Sequence, residues 1–186
     1  MWWTLAAAGS PASNPRVPCR VKKTLVLGLG NTLLSDEGVG VRVVERLLAS
    51  YDFPSEVEIL DGGTLGLDLL PYIQRADRLL VVDAVELAAE PGTLVRLEGG
   101  DIPSVFGPKL SPHQMGLADL LNAAQLLDCL PDERVLWGCQ PGTLRIGLDL
   151  STPVGAQVER LVENVLSELL KWDIVPTTRA LEEGST

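Results

Sequence analysis

The chain of 186 residues carries 25 Asp and Glu against 15 Lys and Arg, a formal net charge of −10. That balance argues against a nucleic-acid partner, because affinity for phosphate backbones is built from lysine and arginine. Three cysteines, Cys19, Cys129 and Cys139, without C-x-x-C spacing point away from a disulfide framework or zinc knuckle and toward a cytoplasmic setting, and no apolar run approaches the roughly 18 to 20 residues that span a membrane.

The opening 22 residues, rich in Ser, Pro, Ala and Gly, are expected to form a disordered tail. Residues 23–172 are expected to make one α/β domain, and 173–186 a second tail. "TLVLGLG" is an apolar run ending in glycine, and the following "VGVRVVERLLAS" repeats Val39, Val43, Val44, Leu47 and Leu48 at helical spacing. "VEILDGG" predicts another strand, and "LGLDLLPYIQRA" a helix that Pro71 kinks or ends. "DRLLVVDAV" has no polar alternation, so it predicts a strand covered on both faces. "GTLVRLEG" alternates and predicts a strand nearer an edge. A helix "GLADLLNAAQLL", a strand "RVLWGCQ", a short strand "TLRIGLDL" and a helix from about Pro153 to Trp172, N-capped by Thr152, complete the order. This alternation predicts a three-layer α/β/α sandwich around a largely parallel twisted sheet.

The loop "LGLGNTLLSDEGVG" raises a question of ligand charge. Gly28 and Gly30 fit the dinucleotide pattern G-x-G-x-x-G, but Leu33 stands at the third glycine position. Asp36 and Glu37 occupy the approach to the next helix, where they complement its dipole and repel phosphate. Asp61, ending the second strand, mimics a ribose-binding acid and keeps a nucleotide-dependent enzyme as an alternative. The same acids invite a cation. Ligands of open α/β sheets bind outside the carboxyl ends of strands, and Glu37 lies beyond the first predicted strand while Asp83 ends the third. If those strands are neighbours, both carboxylates overhang one crevice. The plain alternative is that Asp36 or Glu37 caps the helix at Gly38, and that the strand-end acids form turns.

The single histidine, His113, stands in "LSPHQMGLADLL", where Ser111, Pro112 and Gln114 make a capping box. The helix dipole keeps an imidazole in a first turn neutral, able to ligate metal or accept a proton. No H-E-x-x-H helix, G-x-S-x-G elbow or G-x-x-x-x-G-K-[ST] phosphate loop occurs. Cys139 in "WGCQPG" reads as a small buried hydrophobe.

"VLGLGNTLLSDEGVGVRVVERL", "EILDGGTLGLDLL", "LLVVDAVELAAEPGTL" and "LSPHQMGLADLL", in that order and spacing, resemble the nickel-iron hydrogenase maturation endopeptidases from about Thr24 to Leu170. The resemblance implies that Glu37, Asp83 and His113 contact metal and carry catalysis, and that Asp61 and the adjacent Asp36 bind substrate. It implies a partner, the hydrogenase large-subunit precursor, whose C-terminal extension is removed once nickel has been inserted. The nickel comes with the precursor, and no resident cofactor is expected. A monomer with no membrane attachment suits docking to a large partner. A non-catalytic nickel- or precursor-binding chaperone is the other alternative. The sequence departs from the family pattern at its N-terminal tail and at Gly142, where relatives often place an acid.

Overall fold

A computed structural model describes residues 20–105 and 112–179, the side chains of 103–105 and 112–115 excepted. Five strands form the central sheet: β1 (Thr24–Leu29), β3 (Val57–Gly63), β4 (Arg78–Ala84), β5 (Leu94–Glu98) and β6 (Glu133–Cys139), in the order β3-β1-β4-β6-β5. β1 pairs parallel with both β3 and β4, and β4 parallel with β6. Only β5, at an edge, runs antiparallel. The apolar runs explain the order, since β1 is buried throughout and β4 at every position but its first.

Side chains of these strands alternate between two cores. Val26, Leu80, Val82 and Ala84 join the layer formed by α1 (Val39–Ser50) and α5 (Val158–Lys171). Leu25, Leu27, Leu29, Leu79 and Val81 join the opposite layer, formed by the short α2 (Leu70–Ile73) and by α3 (Pro112–Leu126). The expected sandwich is therefore present, with a sheet covered on both faces. On α1 the predicted stripe holds for Val39, Val43, Val44 and Leu47, whereas Leu48 is exposed and Val41 is buried.

Four local expectations are corrected. Residues 143–150 form no strand: their only β-type pairing among the described residues is an isolated bridge, Leu34 to Gly147, and their other bonds run to the loop after β1 and to α1. The helix expected from Pro153 breaks into α4 (Thr152–Gly155) and α5, and its N-cap is Ser151, without a side-chain capping bond. The helix expected over 65–76 is a 3-10 turn, Gly66–Leu69, running into α2. Residues 173–179 are no tail: Ile174 is buried in the α1–α5 core, and β7 (Thr177–Thr178) pairs with β2 (Tyr51–Asp52). At the other end the Arg20 guanidinium pairs with Asp77 and the Lys22 ammonium with Glu133, which ties residues expected in the first tail to the domain. Residues 1–19 lie outside the described residues.

Candidate functional site

Because β1 and β4 are neighbours, the chain leaving one and the end of the other share the carboxyl edge of the sheet. After β1, the loop turns into a 3-10 turn, Ser35–Gly38, that packs on β4 and leads into α1. Glycine makes this approach possible. Gly30 has φ +126°, and a Cβ there would stand 1.7 Å from the Glu37 carbonyl oxygen. A Cβ on Gly40 would meet the Val82 carbonyl oxygen at 2.1 Å. The glycines that resemble a phosphate loop thus let the chain close on itself.

That closure leaves two acids at the same carboxyl edge of the sheet. Glu37 is 5% exposed and Asp83 0%. Asp83 is in phase with Leu79 and Val81 along β4, which puts it on the α3 side of the sheet. Glu37 lines a cleft of about 380 Å³ on that side, together with Leu29, Leu34, Leu69, Leu117 and Leu120. His113 is the second residue of α3, one helical turn before Leu117; its side chain lies outside the described residues, as does Ser111. Among the described residues no group of three metal-binding side chains assembles. Buried oxygen donors of this kind suit a hard or borderline divalent ion.

Asp36, adjacent to Glu37, faces elsewhere. It is 0% exposed, and its Oδ2 accepts from the Gly142 and Thr143 amides at 2.8 and 2.9 Å and from the Ser151 hydroxyl at 2.7 Å. Its Oδ1 accepts from the Ser151 amide at 2.6 Å. Burial alone would raise its pKa, but these donors outweigh it and hold the carboxyl below the usual range. The substrate-binding role expected for Asp36 is corrected on this ground: its oxygens are spent clamping the 142–151 loop. Nor does either acid cap α1, whose N-cap is Gly38 without a side-chain bond. Gly142, where an acid was expected by family pattern, donates its amide to Asp36 instead.

Asp61 is exposed at the end of β3 and accepts the Gly63 amide at 2.9 Å, the turn role open to it from sequence, with its carboxylate reaching solvent. Cys139 is fully buried and its thiol is pushed up to about 11, by burial first and by the nearby Asp36 charge second, so it stays an inert core group. Sequence reasoning missed Gln140, which is 4% exposed. Its Oε1 accepts the Leu87 amide at 2.6 Å, and its Nε2 donates to Glu86 at 3.0 Å, fixing the loop that leaves Asp83. The only signal was a polar residue directly after an apolar strand. Ser151 was missed as Asp36's partner, because nothing local links positions so far apart.

Comparison with known proteins agrees with this architecture. The family model described as hydrogenase maturation protease matches residues 41–168. The chain is 43% identical over 148 residues to the hydrogenase 2 maturation protease of Escherichia coli strain K12, covering 79% of this chain and 90% of that relative. It is 42% identical over 161 residues to the hydrogenase expression/formation protein HupD of Rhodobacter capsulatus, covering 86% and 77%. The solved structure of the hydrogenase maturating endopeptidase HybD from E. coli matches with a TM-score of 0.81 at 40% identity, over 84% of this chain and 98% of that one. These likenesses support neither a nucleotide-dependent enzyme nor a non-catalytic chaperone.

Proposed function

This chain belongs to the hydrogenase maturation protease family and is an endopeptidase of hydrogenase maturation; from that premise we propose that it uses Glu37, Asp83 and His113 to read nickel already held by the hydrogenase large-subunit precursor. The observation that supports this reading is the position of two buried carboxylates, Glu37 after β1 and Asp83 on β4, at the carboxyl edge of adjacent parallel strands, with Glu37 lining an open cleft.

Two acids and a neutral imidazole complete the coordination of an ion that the precursor brings, and that contact places the peptide bond to be cut. Water activated by the ion or by one of these carboxylates would attack the scissile carbonyl, with its proton passing to the leaving amine as the peptide C–N bond breaks. If nickel supplies about 4 kcal/mol of the binding, loaded precursor is preferred by roughly a thousandfold. The solvent-facing Asp61 contacts the precursor beside this point. The reaction takes place in the cytoplasm, with the enzyme as a monomer; no described helix is long and apolar enough to cross a membrane.

The test incubates the enzyme with nickel-loaded and nickel-free precursor and weighs both products by mass spectrometry. Only loaded precursor should shorten. Glu37→Gln, Asp83→Asn and His113→Ala should each lower the cleavage rate roughly a hundredfold or more with the fold retained. Equal cleavage of nickel-free precursor would overturn the nickel reading, and full activity in any variant would remove that residue from the site.

A further inference from the structure

The second turn of α3 contains a glycine, Gly116, at a position where glycine weakens a helix relative to alanine. Among the described residues packing does not require it. The nearest atom a Cβ would meet is the Gly66 Cα, at 3.7 Å, an ordinary contact. Gly66, across the gap, has φ +54° and needs glycine for its own backbone. The two glycines face each other where the 3-10 turn after β3 packs on α3. Both line the cleft that begins at Glu37. A helix-weakening residue with room beside it, on the wall of a cleft, is explained by the space it leaves.

From this we infer that the cleft is a side-chain subsite, which accepts one apolar residue of the precursor peptide next to the scissile bond, and that Gly116 sets how large that residue can be. The inference rests on the endopeptidase reading of the same site. Continuity argues for a peptide occupant, because Glu37 forms part of the cleft wall. Chemistry argues for an apolar side chain. Leu29, Leu34, Leu69, Leu117 and Leu120 supply the walls, while Asn31 and Thr64 supply polar groups able to meet a backbone. Its volume of about 380 Å³ lies near the lower end for pockets that enclose a small ligand.

The experiment measures cleavage of nickel-loaded precursors that carry Ala, Leu, Phe or Asp at each residue flanking the cut, using the wild type, Gly116→Ala and Gly116→Val. At one flanking position the wild type should prefer Leu over Asp by roughly a hundredfold, and Gly116→Val should lose roughly tenfold or more on Leu and Phe while retaining Ala. Gly116→Ala should melt at a higher temperature than the wild type and shift the same preference part of the way, so that the result does not depend on the valine variant folding. Equal rates on Leu and Asp precursors at both positions, or an unchanged preference in a folded Gly116→Val protein, would overturn the subsite while leaving the endopeptidase reading intact. A wild type that cuts no loaded precursor would overturn that reading and this inference together.

Discussion

The Asp36 carboxylate takes both the amide and the hydroxyl of Ser151, at 2.6 and 2.7 Å, and so joins the loop after β1 to the start of α4 across 115 positions of the chain. The neighbouring Glu37 lines the open cleft. One of two adjacent acids thus fixes the loop while the other is presented.

Asp36→Asn should therefore destabilise the fold by about 2 to 3 kcal/mol, since an amide cannot accept at both ends while its NH2 opposes a donor. The native pKa of Asp36 is lowered from 3.8, so its contribution is complete above that value and disappears as pH falls through the native one. Denaturant unfolding should show the wild type and variant separated at pH 7, with the gap narrowing as pH falls below 3.8.

Gly40→Ala should destabilise the protein by about 2 to 3 kcal/mol, although alanine is the better helix former. The cause is the Cβ, which would stand 2.1 Å from the Val82 carbonyl oxygen and 2.5 Å from that of Leu29. Thermal melting would detect the loss, and a stabilised variant would contradict the close approach of α1 to the sheet.

Glu168 is 2% exposed and accepts from the Arg96 guanidinium at 2.7 and 3.1 Å and from Lys171 at 3.0 Å, which ties edge strand β5 to α5. Burial pushes its pKa up, but Arg96 and Lys171 hold it below the carboxylate norm. Arg96→Ala should cost about 2 kcal/mol, a value reduced because the arginine is partly solvent-facing. The Arg96→Ala, Glu168→Gln double variant should lose less than the sum of the single changes in denaturant titrations.

Ending the chain after Trp172 should cost about 2 to 3 kcal/mol, most of it from the buried Ile174 side chain. The β2–β7 pairing and the Arg179 bonds to Asp52 and the Leu48 carbonyl would go with it. Unfolding of the shortened protein at a lower denaturant concentration would confirm that these residues belong to the domain.

Local patterning was enough to read the layers of this protein. The uninterrupted apolar run of β4 predicts a strand buried on both faces, that of β1 predicts a strand, and helical spacing marks α1, because burial of apolar surface acts on each segment through its own periodicity. The order of the acids along the loop did not reveal that Asp36 turns inward and Glu37 lines the cleft. That division is set by the amides of Gly142, Thr143 and Ser151, whose positions depend on how the whole sheet assembles. For the same reason residues 143–150, patterned like a strand, form a loop: they join no strand of the sheet, and their backbone meets Asp36 and the β1 loop instead. Periodicity decides which face of a segment is buried, and only the assembled backbone decides which buried polar groups find one another.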